Sequence, residues 1–356
     1  MKLLSYFGAL CVIGLFFYLI FSNEDNARNF EFTYKVQLDS SDKNVELWIP
    51  VPQTNEVQTV SNLNLEYKEL DCSLETEEKH KNQYYYCYAK QLSEATNVIL
   101  TCDVSRKEHK SVKYNNVDPE LYDAGTNNRT VPEGAIFQDI IDEEGLNKDN
   151  VRDIYNYVLS GMHYGKPKVI SSDDQYYGGK NKKTGQEWLP EAQRYGLKQV
   201  SKDEVVSAYI KAKNDKTDYT FGNGNSIYAC DIGVGNCTDY HSYFMSLCRT
   251  LDIPARFHMG FNIPNKEGEN EGPIGGYHCW ADYYMQEEGW TPVDISESDK
   301  DPSKKDYFFG TVNKDRVEFV VGRDLKLKNR PSTENFFVYP IVEGTTYKKS
   351  FSYKNL

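Results

Sequence analysis

The chain has 356 residues and carries 41 Lys and Arg against 53 Asp and Glu, for a formal net charge of −12. That length exceeds what one compact core usually uses, so more than one module is expected. The acidic balance, with no long basic run, argues against a nucleic-acid partner, because phosphate binding needs a basic face.

The first informative segment is N-terminal. Lys2 precedes an apolar stretch from Leu3 to Phe21, and Ser22, Asn23, Glu24 and Asp25 follow it. About 19 residues at about 1.5 Å rise nearly span a bilayer core. Residues 1–23 therefore read as a membrane anchor or an export signal. A positive start with acidic residues after the stretch places the body on the extracytoplasmic side, anchored or secreted.

Residues 29–115 read as a β-sandwich module. Phe30, Phe32, Tyr34 and Val36 alternate onto one face. The runs ELWIPVP, YYYCYAK and NVILTCDV are further strands between polar turns, and Pro50 and Pro52 suit a strand edge. With 28 Tyr in the chain, rings must pack while their hydroxyls find partners, which suits sheets and half-wet grooves. Residues 116–135 are rich in turn formers and read as a linker.

A core is expected over 136–305. Val151, Ile154, Tyr155, Val158 and Leu159 hold helical spacing, predicting a helix from about 148 to 160 with Asn147 as its cap. Residues 165–222 are polar and read as an insertion, a loop plus one short helix. There Ser201 and Glu204 form a capping box before Val205, Val206, Tyr209 and Ile210. Residues 306–356 return to strand patterns and are expected as a β extension packed on the core.

The chemistry concentrates between Tyr228 and Ser296. Gly233 and Gly235 allow close backbone approach, and Asn236 is a good helix cap, so Cys237 falls at the first helical position. Tyr240, Phe244, Leu247, Cys248 and Leu251 then form one apolar stripe, and the helix is expected to end near Asp252 before Ile253-Pro254. A Cys at a helix N-terminus meets unpaired N–H groups and the positive end of the dipole. Both favour the thiolate, which is the nucleophile.

Downstream, GGYHCWADYYM alternates as a strand, with His278, Trp280 and Asp282 on one face. GWTPVDIS is a second strand ending at Asp294. Antiparallel pairing would bring Asp294 to His278, where a carboxylate fixes the imidazole tautomer. His278 could then take the proton of Cys237.

The stretch GNCTDYHSYFMSLCRTLDIPARF resembles the nucleophile motif of the transglutaminase-like superfamily, a papain-like thiol fold. YHCWADYY resembles its histidine motif and GWTPVDISES its aspartate motif. Flanking segments, YAC, DYFFGTVNKDRVEFVVGRDL and NFFVYPIVEG, resemble an exported bacterial group of that superfamily. The resemblance implies an α+β papain/transglutaminase-like core with catalytic residues Cys237, His278 and Asp294. It implies thiol-dependent acyl transfer or hydrolysis at amide or peptide bonds, with a protein or peptide substrate and no organic cofactor. Arg256 matches the Pro-Ala-Arg turn, where packing or an ion pair is expected. The long 165–222 insertion departs from the pattern. Because the family includes inactive members, a catalytically inactive envelope peptide-binding or scaffold protein is the alternative.

Three lesser readings complete the expectations. Cys230 and Cys279 flank the site and could form a disulfide in an oxidising compartment. Asp239 and His241 sit one turn into the nucleophile helix, where the Asp favours the helix end electrostatically. Asp294, Glu297, Asp299 and Asp301 read as a solvated acidic turn, with neither EF-hand spacing nor a CxxC or HExxH zinc pattern.

Overall fold

Strict alternation governs the first strand of the described residues. A computed structural model describes residues 27–123, 130–171, 176–180, 187–188 and 202–356. The apolar segment at 1–23 lies outside the described residues. Among those described, no helix is long and apolar enough to cross a membrane.

Six strands open the fold: β1 (Arg28–Leu38), β2 (Val45–Val51), β3 (Gln58–Glu66), β4 (Asp71–Thr76), β5 (Gln83–Ala89) and β6 (Thr96–Arg106). In β1 every second residue is buried, including Phe30, Phe32, Tyr34 and Val36. The period of two dictates this, since successive side chains leave opposite faces of a strand. β1 pairs antiparallel with β6, and β6 with β3; β2 pairs with β5, and β5 with β4. A disulfide joins Cys72 of β4 to Cys87 directly opposite on β5.

Helices α1 (Ile136–Glu144) and α2 (Val151–Gly161) follow, then β7 (His163–Tyr164). The cap of α2 is Asn150, not Asn147. Asn147 instead accepts the Asp149 N–H at 3.1 Å, making a local turn that delays the helix. Three short strands, β8 (Lys168–Ser171), β9 (Tyr176–Lys180) and β10 (Glu187–Trp188), pair as a small sheet where the sequence predicts a loop. Helix α3 (Lys202–Asp215) packs Val205, Val206 and Tyr209 against Tyr228, Ile232 and Val234. The expected cap Ser201 lies outside the described residues.

The central elements are α4 (Ser226–Ile232), β11 (Val234–Gly235), α5 (Cys237–Thr250), β12 (Ala255–Asn262), β13 (Glu271–Ile274), β14 (Tyr277–Met285), β15 (Gly289–Val293) and α6 (Ile295–Lys300). The sequence predicts one buried stripe on α5. The structure buries every residue from Cys237 to Arg249, because α1, α2, α4, α6 and the sheet enclose it. Its polar side chains persist there because partners are supplied: Arg249 donates to Ala255 O at 2.9 Å and Ser246 to Ser226 Oγ at 2.8 Å.

The segment 306–356 forms strands, and these pair into the sheets on both sides of the core. β16 (Arg316–Val321) pairs with β12 and completes the core sheet, ordered β15-β14-β12-β16. β17 (Ile341–Glu343) pairs with β2, and β18 (Tyr347–Asn355) lies between β1 and β13. Shape and register drive this. β1 needs a partner on its second side, and Phe351 and Tyr353 bury on its face opposite Tyr34 and Phe32. The rings of Phe32, Tyr34, Phe261, Phe319 and Phe351 interlock, so one apolar core runs from the N-terminal strands into β12 and β16.

Candidate active site

Local sequence builds the nucleophile turn. Gly233 ends α4 in the left-handed conformation, at φ 64°, and its N–H bonds Ala229 O. Two residues of β11 then pair in parallel with β7 and deliver the chain to Asn236. Asn236 caps α5, its Oδ1 accepting the Thr238 N–H at 2.9 Å. Asp239 returns the bond, its Oδ2 accepting the Asn236 N–H at 3.0 Å, so the two close a capping box. The same carboxylate also accepts the N–H groups of Gly222 and Gly224, both at 3.0 Å. Asp239 thus ties the end of the insertion to the helix start, more than the electrostatic role read from sequence.

Cys237 is the first residue of α5, only 2% exposed. His278, on β14, is hydrogen-bonded to it and is 3% exposed. His278 Nε2 donates to Asp294 Oδ2 at 2.7 Å, which leaves Nδ1 for the thiol. Asp294 follows β15 and caps α6. Its Oδ1 accepts Ser296 Oγ at 2.9 Å and Glu297 N–H at 3.0 Å. Arg316 of β16 adds an ion pair to Oδ2 at 2.8 Å. The three residues predicted from sequence are therefore brought together. The acidic run after Asp294 is not a solvated turn but the short helix α6, with Ile295, Ser296 and Ser298 buried.

Charge follows from these contacts. Burial raises the Cys237 thiol, but hydrogen bonds from Cys279 and His278, and the charges of His278 and Lys300, outweigh it and hold the thiol well below its ordinary value. Burial pulls His278 down, yet the Asp294 carboxylate more than compensates, and the imidazole sits above its ordinary value. For Asp294, burial is overcome by His278 and Arg316, so it stays ionised far into acid. Both shifts favour a thiolate–imidazolium pair.

The sequence assigned no role to several neighbours. His241 lies beneath the site, wholly buried. Its Nδ1 faces Cys237 O at 2.7 Å and must donate, while Nε2 accepts the Ile295 N–H at 3.1 Å. Both nitrogens are thus assigned, and burial drives this imidazole down to about 4, keeping it neutral. It links the nucleophile turn to the residue after Asp294. Arg316 was invisible because an Arg within a strand pattern reads as solvent-facing. Lys300 Nζ bonds Glu297 Oε1 at 2.6 Å and lies 4.0 Å over the Tyr164 ring, beside the thiol.

Other expectations resolve as follows. Tyr228 gives its hydroxyl to Val234 O at 2.7 Å. Cys230 and Cys279 are not joined by a disulfide. Cys230 meets Tyr243 under α5, whereas Cys279 meets Thr238 and Cys237 at the helix start. Arg256 forms a bidentate pair with Asp282, at 3.0 and 2.5 Å, as the Pro-Ala-Arg turn implied. Trp280 separates this second buried cluster from the thiol, stacking His278 and His258 against its ring.

The chain is similar to several known proteins. Residues 194–295 match the sequence model of the transglutaminase-like superfamily. An uncharacterized protein of Haemophilus influenzae is 22% identical, the match covering 89% of this chain and 86% of that one. Among solved structures, a candidate cysteine protease from Cytophaga hutchinsonii is similar at 13% identity and TM-score 0.46, covering 92% of this chain and 98% of that one. The periplasmic domain of TgpA from Pseudomonas aeruginosa, bound to ethylmercury, is similar at 14% identity and TM-score 0.35, covering 78% and 93%. With the motif, the helix–strand–strand placement and the matched segment in hand, the chain carries a domain of the transglutaminase-like superfamily over residues 194–295.

Proposed function

We propose that the protein is an extracytoplasmic cysteine-nucleophile acyltransferase or amidase, with Cys237, His278 and Asp294 as its triad. The observation that carries the reading is the Cys237 thiol at a helix start, paired with an imidazole whose far nitrogen is fixed by a buried carboxylate. The Cys237 thiolate attacks the carbonyl carbon of an amide or other acyl donor. The Cys237 N–H, in the first turn and without an intrahelical acceptor, faces the developing oxyanion. The carbon–nitrogen bond breaks as His278 gives its proton to the leaving amine, and a thioester to Cys237 remains. Water or a primary amine then attacks the thioester, His278 takes the incoming proton, and the thiolate is released. The acyl donor is a protein or peptide side chain or backbone amide.

The Cys72–Cys87 disulfide supports an oxidising, extracytoplasmic setting, in keeping with the expected anchor or export signal. The near-complete burial of Cys237 is the observation that favours the alternative, an inactive peptide-binding or scaffold protein. Under the catalytic reading, the Lys300–Glu297 pair beside Tyr164 moves aside to admit substrate.

The test uses an activated ester, p-nitrophenyl acetate, with the acetylated residue located by peptide mass spectrometry. The expected result is a burst of p-nitrophenol with acetyl on Cys237, abolished in a folded Cys237→Ala variant. A burst that survives Cys237→Ala, or no acetylation of Cys237, overturns the catalytic reading and leaves the scaffold.

A further inference from the structure

The residue after the proposed base is a second thiol. Cys279 is wholly buried and free, and its sulfur is hydrogen-bonded to that of Cys237. The direction of that bond follows from the groups behind it. The Asn236 side chain is oriented unambiguously, because its Oδ1 accepts the Thr238 N–H at 2.9 Å. Its Nδ2 therefore faces Tyr277 Oη, at 2.9 Å, and an amide nitrogen can only donate. The Tyr277 hydroxyl, having accepted, is free to donate its own proton to Thr238 Oγ1, at 3.1 Å. With that orientation Thr238 Oγ1 can in turn donate to Cys279 Sγ, at 3.7 Å. One donor is then left at the end of the line, the Cys279 S–H, and one acceptor faces it, the Cys237 sulfur.

We propose that Cys279 is a second hydrogen-bond donor to the Cys237 thiolate, fed by a one-directional chain from Asn236 through Tyr277 and Thr238, which holds the nucleophile ionised and aimed. The inference rests on the thiol–imidazole reading of the site and adds a positioning residue to it. No covalent bond changes at Cys279. Burial and the adjacent thiolate keep its own proton on, so it remains a donor throughout the neutral range. That matters because the other donor titrates. When the His278 imidazolium loses its proton, the thiolate loses a charge partner; the S–H of Cys279 stays. The chain therefore keeps the thiolate hydrogen-bonded and aimed at pH values where the imidazole is neutral.

The experiment is the pH profile of iodoacetamide alkylation at Cys237, resolved by peptide mass spectrometry on the full chain. The buried Cys102 and Cys248 serve as internal references. In the wild type the midpoint is expected well below the ordinary thiol value of about 8.5. Cys279→Ala is expected to raise it by about one pH unit, the low end for a hydrogen bond to a charged group because S–H is a weak donor. Cys279→Ser, which restores an O–H donor, should return most of the shift. Thr238→Val, which unhooks Cys279 from the chain, should fall between. A Cys279→Ala midpoint equal to a low wild-type midpoint overturns the inference while leaving the thiol–imidazole site intact. An ordinary midpoint in the wild type itself overturns the site and the inference with it. Should the Ala variant fail to fold, Thr238→Val decides, and an unchanged midpoint there counts against the chain.

Discussion

Asp294 shows how one side chain can serve the backbone and the chemistry together. Its Oδ1 caps α6 through the Glu297 N–H and Ser296, while Oδ2 holds His278 and Arg316. An Asn in its place keeps the cap but presents an amide where the carboxylate met the imidazole. The imidazole tautomer then reverses, and Nδ1 carries a proton that the thiol cannot use. Asp294→Asn is expected to lower the ester burst rate by roughly 10²–10⁴-fold, as loss of a triad acid does elsewhere. It also leaves the buried Arg316 without its charge partner, so the unfolding midpoint in urea should fall, by about 3 kcal/mol in stability. A burst rate within a few-fold of wild type would remove Asp294 from the mechanism. Cys237, His278 and Asp294 were legible in the sequence because each stands at an element boundary that local signals define: a capped helix start, a strand's first turn, a strand's end. Arg316 and His241 were not, because nothing local distinguishes a buried, paired Arg or His from an exposed one.

At the scale of the element, β18 is the strand that closes the fold. It lies between β1 and β13, joining residues more than two hundred positions apart in the chain. Phe351 meets the Tyr34 ring at 4.7 Å and the Phe261 ring at 4.6 Å, one from each side of the shared core. Phe351→Ala is expected to cost about 3 kcal/mol, read from chemical denaturation. Truncation before Tyr347 is expected to unfold the N-terminal strands rather than trim a tail, seen as loss of protease resistance across 28–106. If the truncated protein keeps that resistance, β18 is an accessory. The strands themselves were legible from alternation in β1 and from the apolar runs of β2, β5 and β6. Their partners were not, because a period of two fixes which face is buried but not which distant strand lies alongside. Helix α2 slipped by one cap for a related reason. Asn147 and Asn150 are equally good caps, and only the turn around Asp149 chose between them.

Over the whole molecule, the buried titratable groups predict how stability varies with pH. Burial lowers His80 to about 4, His109 to about 3 and His241 to about 4. These imidazoles bind fewer protons folded than unfolded, so stability rises with pH between those values and about 6.5, and falls as the solution is acidified through that window. Glu318 adds to the loss at lower pH. Burial opposes its ionisation, but His258 overcomes it and holds the carboxyl at about 2. His258 and His278 act in the other direction. Burial lowers both, but Asp282 and Glu318 raise His258, and Asp294 raises His278. Folded, they keep protons that the unfolded chain has lost, so their contribution is full below about 6.5 and declines as pH rises through their folded values. The urea midpoint is therefore expected to peak near neutrality, with an acid limb of roughly 1.4 kcal/mol per pH unit for each titrating imidazole. His241→Asn should flatten the acid limb, and a limb unchanged by it would place the titration elsewhere.

The sequence by itself determined the class of the fold, the strands of β1, β2, β5 and β6, and the standing of Cys237, His278 and Asp294 at element boundaries. Those depend on short-range patterns: alternation, helical spacing, a cap beside a Cys, a strand that ends on an acid. Tertiary structure alone decided that the tail adds a strand to each of three sheets, that Cys72 and Cys87 pair while Cys279 faces Cys237, and that Arg316 and His241 brace Asp294 and the Cys237 turn. Such choices rest on contacts between residues far apart in the chain. Their energies come from burying apolar surface and satisfying buried polar groups in one particular packing, which no local window of sequence contains.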